Sequence, residues 1–392
     1  MRTTLAILLG LFATTSLANA AEPAPLRIER MTILTGSDDS LWFQSRGAVI
    51  PGQPPRIMVT TQALDRGGVH AFRDISEISS SDNGSTWTAP KVIEPLRRKK
   101  NADGDELVAG DLSPQWHAAS GTVLATGKMF GFRGGTREDR ALERVADCVY
   151  SPSTNAWGEL RTLDLPVTDH AGRKIVSPNS GCCQRYDLPG GDILLPIRYS
   201  AGKVDAPYVT IVALCRFDGT TLIYERHGSE LSRAKGRGLY EPSITAFHGR
   251  YYVTMRADDS GFVARSSDGL DYEPIVEWTF DDGKPLGSYN TQQHWIAHGD
   301  ALYLVYTRRG ADNDHIFRHR APLFIAQVDP ERLCVVRATE QVLFPEDNAS
   351  LGNGGVLEVS PNETWFIESE LVAGSRQRDC NKVMVARILW AN

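Results

Sequence analysis

The segment Ser80-Ser81-Asp82-Asn83-Gly84-Ser85-Thr86-Trp87 lies between two runs of strand-forming residues and reads S-x-D-x-G-x-T-W without a gap. An Asp side chain accepts hydrogen bonds from nearby backbone N–H groups, and a Gly supplies the positive φ that a tight reversal needs. The Trp at the start of the next strand can pack against a neighbouring sheet. The pattern therefore predicts a structural hairpin rather than a catalytic site. Its members are Ser80, Asp82, Gly84, Thr86 and Trp87.

Short β-rich runs recur along the whole sequence, and Gly, Asp, Asn and Pro residues separate them. They include residues 56–61, 122–126, 192–197, 209–217, 251–256, 301–306 and 323–328. Long helical periodicity is nearly absent, so the sequence predicts an all-β sandwich, barrel or propeller. Weaker copies of the 80–87 pattern occur at 150–157 and 266–272. Repetition at irregular spacing favours a propeller whose blades are joined by loops of unequal length.

The 80–87 pattern has the form of an Asp-box, and the sequence resembles the sialidase-type β-propellers, in which such boxes recur on the outer turns. The resemblance and the chain length favour an all-β, six-bladed propeller with blades of about 40 to 45 residues as a minimum; five or seven blades are the alternatives. We expect a single propeller domain over residues 21–392. In such a domain the ligand site lies where loops converge at one end of the central channel.

The first 20 residues are typical of a cleavable signal peptide, with Arg2 followed by an apolar run and by Ala18-Asn19-Ala20. The apolar run is shorter than the roughly 20 residues that a membrane-spanning helix needs. We therefore expect no membrane span, and export to the periplasm or the cell exterior. A net charge of −6 without a basic stripe argues against nucleic-acid binding. The sequence leaves the oligomeric state open.

The resemblance implies a site for an anionic sugar. Sialidases hold the sugar with three arginines from separate blades and use a Tyr nucleophile helped by a Glu, with an Asp as acid/base. Three guanidinium groups can fix one carboxylate by bidentate, charge-assisted hydrogen bonds. By resemblance, Glu241 matches the helping Glu, Arg256 the second arginine and Arg46 the first. Either Arg308 or Arg320 completes the arginine cluster.

The densest polar segment of the sequence runs from residue 288 to residue 320 and combines amides, imidazoles, aromatic rings and arginines, which suits an acidic sugar. Its further candidate residues are Tyr289, Gln293, His294, Tyr306 and His315. Sialidases place the nucleophile late in the chain, yet residues 348–355 contain no tyrosine. Tyr289 or Tyr306 would then have to serve. Asp65 or Asp74 is the expected acid/base, because both lie between Arg46 and the Asp-box.

The resemblance thus implies exo-sialidase-like hydrolysis of a glycosidic bond in an acidic glycan. The alternative chemistry is elimination at a uronic acid, as in polysaccharide lyases of related shape. There a basic group removes the proton at C5, a polar side chain neutralises the carboxylate, and a Tyr or His protonates the leaving oxygen. His117, which follows Gln115 and Trp116, joins His294, His315, Tyr289 and Arg308 as a candidate for these roles. A third interpretation is a non-catalytic glycan-binding propeller, to whose aromatic-rich mouth Trp116 would belong.

Neither a metal nor a cofactor is expected from the sequence. His315 and His319 are four residues apart, a zinc-like spacing on a helix, but Arg318 and Arg320 would repel a cation there. The six cysteines do not have the spacing of a zinc site. The adjacent Cys182 and Cys183 either pair elsewhere or stay buried as small apolar groups.

Overall fold

The computed structural model describes residues 26–37, 40–64, 72–133, 137–372 and 381–390, without the side chains of Arg137 and Glu138. Strand accounts for 56% of the chain, and the described ranges contain no α-helix, which confirms the all-β prediction. Within the same ranges, no helix has the length and apolar character to cross a membrane. The predicted leader, Asp65 and Cys380 lie outside the described residues.

The regular elements of the described chain are thirty strands and four short 3₁₀ helices. In chain order the strands are β1 (Arg27–Thr35), β2 (Leu41–Ile50), β3 (Arg56–Leu64), β4 (Phe72–Ser80), β5 (Lys91–Val92), β6 (Lys99–Lys100), β7 (Glu106–His117), β8 (Thr122–Arg133), β9 (Arg137–Glu138), β10 (Arg144–Ser151), β11 (Ala156–Trp157), β12 (Arg161–Thr162), β13 (Ile175–Asn179), β14 (Tyr186–Asp187), β15 (Ile193–Ala201), β16 (Tyr208–Phe217), β17 (Leu222–His227), β18 (Leu231–Ser232), β19 (Tyr240–Phe247), β20 (Arg250–Arg256), β21 (Gly261–Ser266), β22 (Val276–Glu277), β23 (His294–His298), β24 (Ala301–Tyr306), β25 (Leu323–Asp329), β26 (Cys334–Val335), β27 (Gln341–Phe344), β28 (Gly355–Ser360), β29 (Glu363–Ser369) and β30 (Lys382–Leu389). The 3₁₀ helices span Glu94–Leu96, Arg140–Leu142, Phe317–His319 and Arg337–Thr339.

The strands form six antiparallel sheets, which we call blades I to VI. From inner to outer strand they are β2-β3-β4-β5, β7-β8-β10-β11, β13-β15-β16-β17, β19-β20-β21-β22, β23-β24-β25-β26 and β28-β29-β30-β1. The inner strand β2 contacts both β7 and β28, and β23 contacts both β19 and β28. Blade VI closes the ring, because β1 from the N-terminal end pairs with β30 from the C-terminal end. The fold is a six-bladed β-propeller, as predicted, with neither five nor seven blades.

The hydrophobic core lies between the faces of neighbouring blades rather than in one central mass. Trp278 and Trp295 are fully buried between blades IV and V, and Trp365 is fully buried between blades VI and I. Strands that are buried on both faces read as continuous apolar runs, and β15, with the sequence ILLPIRYSA, shows this pattern. The repeated burial of large rings between blades therefore holds the sheets in their radial arrangement.

The 80–87 turn joins β4 to β5 at the outer edge of blade I. Asp82 Oδ1 accepts a hydrogen bond from the Thr86 backbone N–H at 2.9 Å, and Ser80 Oγ accepts one from the Gly84 N–H at 2.8 Å. The Thr86 hydroxyl, which donates to Asp82, is the main reason that the pKa of Asp82 falls to about 2. Gly84 has φ +83°, and a Cβ there would lie 2.6 Å from the Trp365 ring. The polar groups of the turn thus act locally, in line with a structural role.

Candidate functional site

Four inner strands carry a bulge that places one polar residue at the centre of the propeller. The register shifts lie between Phe43 and Arg46, Gly110 and Ser113, Val176 and Asn179, and Tyr240 and Ser243. Each shift contains one non-glycine residue with positive φ, namely Gln44, Asp111, Ser177 and Glu241. Bulges re-aim side chains, and strained backbone of this kind concentrates at functional sites.

We call the cluster built around these bulges the hub. Its members are Gln44, Arg46, Asp111, Lys128, Glu143, Ser177, Asn179, Arg198, Tyr240, Glu241, Arg256, Asn290, Thr291, Gln292, Arg320 and Asn353. They come from the inner strands β2, β7, β13 and β19, from the second strands β8, β15 and β20, and from the segments before β10, β23, β25 and β28. The hub therefore lies toward the end of the channel where β19, β23 and β28 begin.

Arg46 ties three blades together at the hub. Its side chain is buried, with 3% of the residue exposed. Nη2 donates to Gln44 Oε1 at 2.7 Å and to Gln292 Oε1 at 2.8 Å, while Nε donates to the Gly354 carbonyl at 3.0 Å. These acceptors are neutral, so the positive charge of Arg46 stays available to an anion.

Glu241 and Arg256 form an ion pair between neighbouring strands of blade IV. Arg256 also donates to the Asn290 carbonyl, and its guanidinium lies 4.5 Å from the centroid of the Tyr240 ring. Glu241 Oε2 and Arg256 Nε are buried without a hydrogen-bond partner among the described residues. An acceptor and a donor of this pair thus remain for a ligand.

Arg320 brings a third guanidinium to the hub from blade V. Its two hydrogen bonds are long, from Nε to Thr291 Oγ1 at 3.2 Å and from Nη2 to Asn353 Oδ1 at 3.4 Å. Burial, and next to it the positive charge of Arg256, lower the pKa of Arg320 to about 10. A bound anion would relieve this repulsion, because it favours the charged form of both arginines. Asn353 Nδ2 is a further buried donor without a partner among the described residues.

Three hub carboxyl groups keep one buried oxygen without a partner among the described residues: Asp111 Oδ1, Glu143 Oε2 and Glu241 Oε2. Asp111 Oδ2 pairs with Lys128 Nζ at 3.0 Å, and Glu143 Oε1 accepts from Arg198 Nη2 at 2.7 Å. Burial by itself raises the pKa of Asp111, but Lys128 and Arg46 together hold it below the usual value. Asp111 is therefore ionised at neutral pH.

The adjacent Cys182 and Cys183 lie beside the hub and remain free, buried thiols, as do the other three cysteines of the described residues. Cys182 Sγ is 3.5 Å from Gln44 Oε1. Burial raises the pKa of both thiols well above the ordinary value. Because the thiolate is the reactive form, neither cysteine has the character of a nucleophile at neutral pH.

Two of the predicted site residues belong to a separate cluster. Arg308 forms a bidentate ion pair with Glu340, with Nη2–Oε1 at 2.6 Å and Nε–Oε2 at 2.8 Å. The Tyr306 hydroxyl donates to Glu340 at 2.6 Å, and burial raises the pKa of Tyr306 well above its usual value. None of the contacts described for this pair reaches a hub residue, so Arg320 rather than Arg308 lies in the hub with Arg46 and Arg256.

The predicted residues Asp74, His315 and Gln293 also have other partners. Asp74 pairs with Arg97 at 3.1 Å in the outer part of blade I. His315 is half exposed and lies 3.6 Å from Glu346. The side-chain amide of Gln293 is hydrogen-bonded to the hydroxyl groups of Ser288 and Thr254. Gln292, its neighbour in sequence, is the residue that contacts Arg46.

The predicted residues Trp116 and His117 lie at the opposite end of the channel. A cavity of about 1030 Å³ extends from there toward the hub; its lining includes Trp116 and Glu358 and also Arg46 and His294. The ring nitrogens of His117 are hydrogen-bonded to Ser120 Oγ and the Gly191 carbonyl, each at 2.8 Å. His117 is thus occupied by structural contacts.

His294 and Tyr289 lie close to the hub. His294 lines the same cavity, and burial together with the charge of Arg46 lowers its pKa to about 3. The Tyr289 hydroxyl is hydrogen-bonded to His319 Nδ1 at 2.6 Å. Tyr289 and His319 directly precede Asn290 and Arg320, which belong to the hub. The Tyr289–His319 pair therefore lies at the rim of the hub.

Sequence reasoning missed Asp111, Lys128, Glu143, Arg198 and Asn353. Arg198 and Lys128 did leave a signal, because each is a charged residue inside a strand-forming run, and such residues are seldom buried unless paired. Asp111 and Glu143 match no motif. Asn353 lies in the segment that was noted only for lacking a tyrosine.

Solved structures with a similar fold include several sialidases. A protein of unknown function from Dyadobacter fermentans matches with TM-score 0.62 and 14% identity over 92% of this chain and 99% of its own. The sialidase of Trypanosoma rangeli matches with TM-score 0.61 and 12% identity over 93% of this chain and 60% of its own, and a Hadza microbial sialidase with TM-score 0.60 and 11% identity over 89% and 66%. No protein-family model and no curated protein sequence matches the chain. At these identities the likeness shows a shared sialidase-like propeller fold.

Proposed function

We propose that this chain is a glycoside hydrolase that removes a carboxylated sugar from acidic glycans in the manner of an exo-sialidase. The observation that carries the proposal is the convergence of Arg46, Arg256 and Arg320 from blades I, IV and V on a hub that also holds Glu241. Three buried guanidinium groups need a multivalent anionic acceptor, and a sugar carboxylate supplies one. The T. rangeli sialidase, a structural neighbour, has been solved in complex with sialic acid.

Hydrolysis is favoured over elimination by the hub carboxyl groups. Most glycoside hydrolases need two carboxyl groups flanking the bond to be cleaved. Asp111 is ionised and keeps Oδ1 free, which fits a base or nucleophile, and Glu241 Oε2 is the second free oxygen. Asn353, which carries no nucleophile, contacts Arg320 within the segment where the sialidase resemblance calls for a tyrosine. We therefore assign to Asp111 the part that a tyrosine plays in sialidases.

Elimination at a uronic acid is the second candidate, and the Tyr289–His319 hydrogen bond favours it. This pair could accept and return a proton at the hub rim. The histidine nearest Arg46, His294, is less suited to act as the base, because its pKa of about 3 makes it a weak proton acceptor near neutrality. Hydrolysis therefore ranks first.

The test is a panel of sialosides and uronate-containing glycans offered to the purified protein. Release of a sugar without a new ultraviolet chromophore means hydrolysis, whereas the absorbance of an unsaturated uronate means elimination. Binding without turnover on every substrate would reject catalysis and leave a glycan-binding propeller. Glu241→Gln should abolish turnover, and Arg308→Ala, which removes side-chain contacts outside the hub, should retain it. Equal rates for Glu241→Gln and the unaltered protein would overturn the assignment of the site.

We further propose that the protein is exported with removal of residues 1–20, and that residues 21–392 act as one domain. The support is the sequence pattern of the leader and its Ala18-Asn19-Ala20 site. N-terminal sequencing of the protein recovered from the periplasm or medium should begin near Ala21. Recovery of only an uncleaved, intracellular chain would contradict export.

A further inference from the structure

A second cluster of ionisable side chains lies outside the hub, where the connection from blade II to blade III meets the outer strand of blade III. His170 belongs to the connection, His227 is the last residue of β17, and Glu230 follows in the next turn. One ligand atom from each lies within 4.8 Å of the others. Two imidazoles and a carboxylate are a donor set that zinc accepts.

The separations within this cluster are longer than ordinary hydrogen bonds and close to those of ligands that share one ion. His227 Nε2 lies 3.5 Å and His170 Nδ1 lies 3.8 Å from Glu230 Oε1. Two ligands at the usual zinc bond length in a tetrahedral site are about 3.4 Å apart. His227 Nε2 is buried and has no hydrogen-bond partner among the described residues. A buried polar atom without a partner is costly, and an ion between it and Glu230 would satisfy it.

The surroundings prepare His227 to act as a ligand. Its Nδ1 is hydrogen-bonded to the Tyr224 hydroxyl at 2.7 Å, which fixes the ring and directs Nε2 at Glu230. Glu230 is itself held by Arg173 Nη2 at 3.2 Å and by the His170 backbone N–H at 2.6 Å.

The local charge does not oppose a cation. Arg173 is the positive group described at the cluster, and Asp169 and Glu230 both pair with it. Two carboxylates against one guanidinium leave a net negative charge beside the two imidazoles.

We propose that His170, His227 and Glu230 bind one zinc ion or a similar transition-metal ion, with a fourth position open to water. The His170 ring now stacks on His227, with centroids 4.2 Å apart and an interplanar angle of 7°. It must turn edge-on to present a nitrogen to the ion, and its 63% exposed side chain is free to do so. The ion would fasten the connection between blades II and III to the outer strand of blade III.

The experiment is a metal titration of the chelator-treated full chain. Cobalt(II) should give the visible absorption of a tetrahedral site at one equivalent per chain, and zinc should displace it and raise the melting temperature. His170→Ala changes an exposed residue and should fold, yet weaken zinc binding by at least about 10-fold. His248→Ala is the matched control, because His248 is also exposed and next to a single carboxylate, Asp300, at 3.4 Å; it should bind zinc normally.

A second variant separates metal binding from stability. Tyr224→Phe removes the hydroxyl that orients His227 and should weaken zinc by about 10-fold while the ring still packs. The proposal is overturned if no tetrahedral cobalt spectrum develops. It is also overturned if zinc binds the unaltered protein, His170→Ala and His248→Ala with the same affinity.

Discussion

The 80–87 turn and the hub both concentrate polar side chains, but the contacts of the turn join residues close in sequence and those of the hub join residues far apart in sequence. In the turn, the Asp82 carboxylate bonds only to residues two and four positions away. At the hub, Arg46 bonds to residues 246 and 308 positions away. Local contacts fix the hairpin of the turn, whereas the hub keeps three carboxyl oxygens and Arg256 Nε without partners among the described residues. We therefore expect the turn to contribute stability and the hub to contribute a binding site.

The two regions also have opposite effects on the charged form of an ionisable side chain. Hydrogen bonds from Thr86 and Ser80 favour the charged form of Asp82 and lower its pKa to about 2. At the hub, burial and a neighbouring arginine disfavour the charged form of Arg320. The free-energy cost of a charge that is disfavoured in this way is typical of functional sites, where a bound ligand can offset it. Substitutions at the hub should accordingly impair function, and substitutions in the turn should impair stability alone.

After the loss of turnover expected for Glu241→Gln, the largest effect is expected from Arg256→Ala. The change removes a carboxylate-binding donor and leaves Glu241 without its partner, so kcat/KM should fall by about 10³-fold. Steady-state kinetics on the best substrate of the glycan panel would measure it. Arg308→Ala is the control for loss of a buried arginine pair, and its kcat/KM should stay within about twofold. Equal losses in the two variants would mean that the hub is not the site.

Asp111→Asn should lower kcat by about 10²-fold with little change in KM, because it removes the ionised carboxylate but not the arginines. In the unaltered protein the rate should fall on acidification only as the pH passes the lowered pKa of Asp111, since the ionised form is the active one. The pH profile of kcat measures both effects. Asp103→Asn, in an exposed turn, should leave the profile unchanged. An unaltered kcat in Asp111→Asn would exclude Asp111 as base or nucleophile.

Asn353→Ala should have a smaller effect, about a 10-fold loss of kcat/KM, because it removes a neutral donor and a long hydrogen bond to Arg320. Asn353→Asp should lose more, since it places a negative charge where an anion binds. Asn362→Ala, in an exposed hairpin of the same blade, serves as the control in the same assay. A substrate affinity that is unchanged in Asn353→Asp would contradict an anionic ligand at the hub.

The smallest functional effect is expected from Asp82→Ala. Its hydrogen bonds to Thr86 and Ser80 would be lost, which should lower the melting temperature by a few degrees while kcat and KM stay unchanged. Calorimetry compared with Asp103→Ala, which removes an exposed aspartate from another turn, would isolate the contribution of the hairpin. A loss of activity without a loss of stability would show that the turn takes part in the site.

The fold could be predicted from the sequence because its signals are local. The 80–87 turn and its partial copy at 266–272 indicate the outer turns of blades, because their contacts lie within a few residues. The Ser266–Asp268 hydrogen bond at 2.9 Å repeats the one between Ser80 and Asp82. The number of blades followed from resemblance and chain length. Which strand closes the ring did not follow, because β1 and β30 lie at opposite ends of the chain.

The site was predicted only in part, for a physical reason. Glu241 and Arg256 were identified by resemblance, and they meet because their strands are consecutive: Arg256 lies opposite Tyr240, next to the bulge that holds Glu241. Arg308 was predicted to join the arginine cluster but lies outside the hub, paired with Glu340, which is 32 positions away in the sequence. The position of Asp111 depends on a β-bulge that no local sequence pattern predicts. Asn353 is recognised as a hub residue only by its contact with Arg320.

The central claim is that the three hub arginines together hold a sugar carboxylate. A crystal structure of the protein with a bound carboxylated sugar such as sialic acid tests it most directly. The account predicts carboxylate oxygens within about 3 Å of guanidinium nitrogens from Arg46, Arg256 and Arg320. A carboxylate bound in the opposite mouth of the channel, beside Trp116, or at the hub without contact to these arginines, would contradict it.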